Sequence, residues 1–98
     1  MERTVTVVPE DGLHARPATT FVEAASNFDA EITVEAVDGN RPPVAADSIL
    51  GVTGLGVRRD DRVRLIAEGP EAEPALDALV NIISTPAGES DVADDTPA

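Results

Sequence analysis

Apolar and polar residues alternate near the start of the chain, and the spacing then changes to that of a helix. Val5 and Val7 are separated by a threonine, which predicts a half-buried strand. From Pro17, apolar residues recur three and four positions apart and predict a helix that ends near Asn27, with one apolar stripe. That stripe consists of Ala18, Phe21, Val22 and Ala25.

The same alternation predicts three further strands. Asp38-Gly39-Asn40 is a typical turn sequence after the first of them, and Pro42 and Pro43 confine the next strand to a sheet edge. The apolar positions of the three strands are Ile32, Val34 and Ala36, then Val44 to Ala46, and finally Val63, Leu65 and Ala67.

Two more helices complete the pattern. Asp47 or Ser48 can cap a short helix, which the glycines that follow keep short or end. After Gly69-Pro70, helical spacing predicts a final amphipathic helix. Its apolar residues are Ala72, Ala75, Leu76, Leu79, Val80 and Ile83. The order βαββαβα predicts an α+β fold in which the helices cover one face of a sheet.

The length of 98 residues allows one domain with a modest core. We place this domain at residues 1–85. The size suits a carrier or binding module better than a stand-alone enzyme with its own substrate pocket. Residues 86–98 are mostly small and acidic and have no apolar pattern, so we expect a disordered tail.

The charge balance is strongly acidic. Nineteen acidic residues oppose seven basic ones, all of them arginine, for a formal net charge of −12. Nucleic acid and anionic membranes are poor partners for such a surface. Acidic enrichment with no lysine is also typical of a protein from a high-salt cytoplasm, so we expect a halophilic source. The alternative is a protein that is acidic only for solubility.

The chain has no cysteine and one histidine, so we expect no metal site and no bound cofactor. No apolar run approaches the roughly 20 residues that a membrane span requires. The first residues also lack an apolar signal segment. We therefore expect a cytoplasmic protein without membrane insertion.

His14 stands in Gly12-Leu13-His14-Ala15-Arg16-Pro17-Ala18, where a turn is expected to become a helix. Because Gly12 permits a tight turn and Pro17 is favoured in a first helical turn, backbone N–H groups should converge beside His14. A helix N-terminus with an adjacent arginine is a site for an anion such as phosphate, and a neutral imidazole is a nucleophile. These residues indicate a histidine that accepts phosphate. The alternative is a histidine that only caps or fills the helix start.

This run resembles the active-site loop of the HPr family, the histidine-containing phosphocarriers of the sugar phosphotransferase system, with His14 and Arg16 in their motif positions. A second block, Asp47 to Gly56, is similar to the family segment that holds a short helix and, in some members, a regulatory serine. The resemblance covers about residues 1–84. It implies a four-stranded antiparallel sheet of order 1-4-2-3, an open-faced sandwich with the helices on one side.

The resemblance also implies a phosphocarrier function. His14 would take a phosphoryl group on Nδ1 from a phosphohistidine of enzyme I, itself charged by phosphoenolpyruvate, and pass it to a histidine of an enzyme IIA domain. Sugar uptake or, in a related pathway, dihydroxyacetone phosphorylation would follow. Arg16 would stabilise the transferring group by a charge-assisted hydrogen bond, the alternative being an exposed helix-start arginine. We expect the carrier to be a monomer.

Partners of such a carrier should dock on exposed aliphatic residues beside His14. We expect that surface at Ile49, Leu50 and Leu55, together with the Thr20 side of the first long helix. For Leu55 the alternative is a place in the core.

Ser48 has the position of the regulatory serine, but Asp47 precedes it where many regulated relatives have lysine. Capping of the short helix by its hydroxyl is the alternative to phosphorylation. A regulatory docking protein that controls a metabolic enzyme or a transcription factor is a second class of function, although the histidine and arginine of the motif favour the carrier.

Acidic and neutral residues, namely Glu23, Ser26 and Asp47, occupy the neighbourhood where bacterial relatives tend to place basic ones. The cognate enzyme I should therefore carry compensating arginines or depend more on apolar contact.

Overall fold

The structure is a computed structural model that describes residues 1–10, 12–39 and 41–85. Within these residues the element order is the predicted βαββαβα. The bounds are β1 Glu2–Thr6, α1 Ala15–Ser26, β2 Glu31–Ala36, β3 Val44–Ala45, α2 Ile49–Gly54, β4 Arg62–Glu68 and α3 Ala72–Ile83. The tail predicted at 86–98 and Asn40 of the predicted turn lie outside the described residues.

The strands form one antiparallel sheet of order β1-β4-β2-β3, which confirms the order implied by the resemblance. β4 lies inside the sheet, where Val63 pairs with Val5 of β1 and Leu65 pairs with Val34 of β2. β3 is a two-residue edge strand, as expected after the two prolines that precede it.

One face of the sheet packs against the helices, because alternate residues of each strand point to opposite sides. Val63 and Leu65 of β4 are fully buried on this face in one core with Phe21 of α1 and Leu76 of α3. Burying a side chain of this size contributes about 1.5–3 kcal/mol to stability. No polar or charged residue of the described chain is buried. The core is therefore apolar, and polar chemistry is confined to the surface.

The opposite face of the sheet is polar and exposed to solvent. Arg64 of β4 donates to Glu35 of β2 at 2.9 Å and lies 3.5 Å from Glu2 of β1. No helix of the described residues is long and apolar enough to cross a membrane.

Candidate functional site

Gly12 shapes the loop that leads from β1 into α1. Its φ is +64°, and its N–H donates to the carbonyl oxygen of Pro9 at 2.9 Å. A Cβ added there would collide with the carbonyl oxygen of Val57 and lie 2.7 Å from the Cα of Arg58. Only glycine fits this close approach of two backbones, because it has no Cβ and accepts a positive φ.

Leu13 anchors the loop to the core. Its side chain is fully buried, and its N–H donates to the carbonyl oxygen of Val57 at 3.2 Å. His14 follows directly and is half-buried. A residue fixed in the core therefore precedes a histidine that is partly open to solvent.

His14 is the N-cap residue of α1, with extended φ and ψ of −135° and 166°. Its carbonyl oxygen accepts from Ala18 N at 3.4 Å, but among the described residues its side chain makes no capping hydrogen bond to the helix. The imidazole thus lies at the positive end of the helix dipole without serving as a cap. The capping alternative is not what the structure shows.

Ala15, the first residue of α1, has φ of +54°, in the left-handed region. For a residue with a Cβ, this conformation costs roughly 1–2 kcal/mol. The helix as observed begins at this residue, two residues before Pro17, at which the predicted apolar spacing starts. Nothing in the residue type signals this conformation, so it is not predictable from the sequence.

Arg16 and Thr20 lie on the same helix as the His14 cap. Arg16 is exposed in the first turn, two residues after His14, and Thr20 is exposed one turn further along. Because residues four apart share a helix face, these two side chains leave α1 in the same direction. Arg16, predicted to stabilise the phosphoryl group, and Thr20, predicted to contact partners, thus lie on the same surface of α1.

α2 packs against α1 and holds the second predicted block. The Ser48 hydroxyl accepts from Gly51 N at 3.1 Å and caps this helix, so Asp47 is not the cap. Leu50 is 82% exposed and Ile49 is 43% exposed, which makes them the large aliphatic side chains of α2 open to a partner.

Leu55 does not belong to the exposed surface, and the docking role predicted for it is wrong. It is 7% exposed and lies in the core with Val52 and Val57. The physical reason is its place as the C-cap of α2, where its N–H bonds to the Val52 carbonyl and its side chain turns inward. The core alternative is the one that the structure shows.

A four-stranded antiparallel open-faced sandwich with a histidine at the start of its first helix is the arrangement that the motif around His14 implies for a small α+β phosphoryl carrier. Residues 1–85 match the family model PTS-HPr, described as the PTS HPr component phosphorylation site. The chain belongs to the HPr family and is a phosphocarrier of the phosphotransferase system.

Relatives support this assignment. Phosphocarrier protein HPr of Haloferax volcanii is 63% identical over 86 residues, which are 88% of this chain and 96% of that protein. The halophilic character expected from the charge fits this relative. A multiphosphoryl transfer protein of Salmonella typhimurium is 42% identical over 80 residues, 82% of this chain but 21% of that longer protein.

The fold also matches a solved structure. The crystal structure of HPr-C-His from Thermoanaerobacter tengcongensis superposes with a TM-score of 0.78 at 43% identity, covering 85% of this chain and 90% of that one. The predicted open-faced sandwich is thereby confirmed.

Proposed function

We propose that His14 accepts a phosphoryl group from a phosphohistidine of enzyme I and passes it to a histidine of an enzyme IIA domain. The observation that carries this proposal is the position of His14. It lies at the surface, at the positive end of α1, and its side chain is not used as a helix cap. Such an imidazole is available both to attack phosphorus and to release it.

The transfer is a displacement at phosphorus. The lone pair of His14 Nδ1 forms a new P–N bond while the P–N bond of the donor histidine breaks, and the donor nitrogen keeps the electron pair. The other ring nitrogen of each histidine keeps its proton, so the step needs no external acid or base. Positioning and charge stabilisation are then the main contributions that the protein can make.

Arg16 supplies charge stabilisation in this proposal. Its position in the first turn of α1 puts a guanidinium within two residues of His14. A guanidinium forms charge-assisted hydrogen bonds with phosphoryl oxygens, and the helix N-terminus adds a favourable dipole.

Thr20, Ile49 and Leu50 form the docking surface in this proposal. The contact between α1 and α2 puts the exposed aliphatic residues of α2 on the helix layer that also presents His14. Exposed aliphatic side chains beside a reactive group suit a transient interface, because docking buries their apolar surface even when the whole interface is small.

The test is intact-protein mass spectrometry after incubation with phosphoenolpyruvate and a high-salt lysate of the source organism. We expect one added phosphoryl group that is labile in acid, as a phosphoramidate bond is. The variant His14→Ala should gain none. An acid-stable label that survives in His14→Ala would contradict the proposal.

A regulatory docking protein is the second candidate, since an exposed aliphatic residue such as Leu50 suits docking with or without phosphoryl transfer. The variant Leu50→Ala distinguishes the two. Under the carrier proposal it slows protein-dependent labelling of His14. Under the regulatory proposal, wild-type protein carries no label on His14, and Leu50→Ala only weakens capture of the controlled protein.

A further inference from the structure

Arg58 lies beside the loop that presents His14. The Cα of Arg58 is 2.7 Å from the point where a Cβ on Gly12 would be, and Leu13 N donates to the carbonyl oxygen of Val57. Residues 57 and 58 are therefore in direct backbone contact with the two residues that precede His14.

The backbone of Arg58 is fixed in this place by a closed turn. Its N–H donates to Asp61 Oδ2 at 2.9 Å, and its carbonyl oxygen accepts from Asp61 N at 3.1 Å. Asp60 N donates to the carbonyl oxygen of Val7, and Val7 N donates to that of Asp61. Both aspartates are thus held beside the end of β1, while Arg58 lies nearer to the His14 loop.

The guanidinium of Arg58 is available to a ligand. The residue is exposed, and the part of the chain that the structure describes offers it no carboxylate within ion-pair distance. Its neighbour Arg59 differs, because it faces Glu10 at 3.9 Å. Arg3, Arg62 and Arg64 likewise each have an acidic partner.

The distance to His14 is within reach of this side chain. Two residues of extended chain span at most about 7 Å, so the Cα of His14 lies close to that of Gly12. Arginine has a long side chain ending in five N–H donors that match phosphate geometry. A guanidinium that starts beside Gly12 can therefore reach a phosphoryl group on the His14 ring.

The acidic surface of the protein makes a second cation beside the phosphoryl group favourable. The net charge of −12 repels a phosphoryl donor, and at about 1 M salt the screening length falls to about 3 Å. A cation then helps only when it touches the phosphoryl oxygens. We infer that Arg58 binds the phosphoryl group on His14 together with Arg16, an inference that rests on the proposed carrier function.

The test uses phosphoramidate, a small phosphoryl donor that needs no partner protein. The variants are Arg58→Gln and, as a control of equal charge change, Arg3→Gln, whose ion pair is with Asp77 of α3. The initial rate of His14 phosphorylation and the ³¹P resonance of phospho-His14 are measured at about 0.1 M and about 1 M KCl, where screening lengths are about 10 and 3 Å.

Loss of a charge-assisted hydrogen bond should slow Arg58→Gln about tenfold at both salt concentrations and shift the ³¹P resonance. Arg3→Gln should match the wild type, and Arg58→Lys should recover part of the rate. Equal rates for the two glutamine variants would overturn the inference, as would a defect that disappears at high salt, which indicates distant steering.

The inference and the proposed function fail in different ways. If wild-type protein gains a label on His14 and Arg58→Gln behaves normally, only the role of Arg58 is overturned. If neither phosphoramidate nor enzyme I labels His14 in the wild type, the carrier proposal is overturned and the role of Arg58 with it. Thermal unfolding of each variant verifies that it is folded.

Discussion

Removal of the Arg16 side chain should slow phosphoryl transfer and leave the stability of the fold nearly unchanged. Arg16→Ala should slow phosphoryl transfer to His14 by at least about tenfold, because charge-assisted hydrogen bonds contribute roughly 1.5–3 kcal/mol. Its stability should change by less than about 0.5 kcal/mol, as is usual for exposed positions. Transfer is measured by mass spectrometry with enzyme I, and stability by urea unfolding. A normal rate in Arg16→Ala, with Arg3→Ala as the surface control, would refute the role.

Ala15 is a site of backbone strain next to the histidine. Its φ of +54° suits glycine, whereas a β-branched side chain is strongly disfavoured there. Ala15→Val should therefore unfold at lower urea than Ala15→Gly, with a stability difference above about 1 kcal/mol. Glycine gains from relief of strain but loses through the entropy of the unfolded chain, so Ala15→Gly should stay near the wild type. Equal midpoints for the two variants would show that the position carries no strain.

At the scale of an element, the Ser48 hydroxyl caps the short helix α2 and should stabilise it. Its hydroxyl accepts from Gly51 N at 3.1 Å, so Ser48→Ala should cost about 1 kcal/mol while Ser48→Asp, which can also cap, should cost less. Ser26, whose hydroxyl donates to the Val22 carbonyl within α1, gives the control Ser26→Ala with little effect. Urea unfolding measures all three variants.

The same serine tests regulation. If Ser48→Asp keeps its stability but slows transfer from enzyme I, a negative charge at position 48 opposes docking, as phosphorylation there would. A normal transfer rate in Ser48→Asp would contradict a regulatory role and would leave helix capping as the role of Ser48.

Periodicity predicts the long helices and the longer strands because their apolar spacing is clear, as in the single apolar stripe of α1, whereas the short helix α2 is predicted from its capping residues and the glycines that follow them. The sequence could not provide what depends on contacts between distant segments. The sequence predicts Leu55 on the docking surface, wrongly, because a local pattern does not show which way the chain turns after a helix. The position of Arg58 is likewise not predictable from the sequence, since its place beside Gly12 is created only by the packing of the two loops. The strand order came from family resemblance and not from alternation.

The acidity of the whole molecule should make its stability depend on salt. With a formal net charge of −12, self-repulsion opposes the compact state at low ionic strength, and salt screens it. The Tm should rise when KCl is increased from about 0.1 M to about 1 M, where the screening length falls from about 10 to about 3 Å. A Tm that is flat or falls over this range, measured by differential scanning calorimetry, would contradict the halophilic interpretation.

One cross-strand pair allows this repulsion to be measured within the sheet. Glu31 of β2 lies directly opposite Glu68 of β4, whereas Glu35 of β2 lies opposite Arg64 at 2.9 Å. Like charges at paired positions destabilise a sheet by roughly 0.2–1 kcal/mol, so Glu68→Gln should raise the Tm at low salt. Glu35→Gln removes the same charge but breaks an attraction, so its Tm should gain less or fall. Because salt screens both pairs, the two variants should converge at high KCl. Equal gains at low salt would instead show that only the total charge matters and that its placement in the sheet does not.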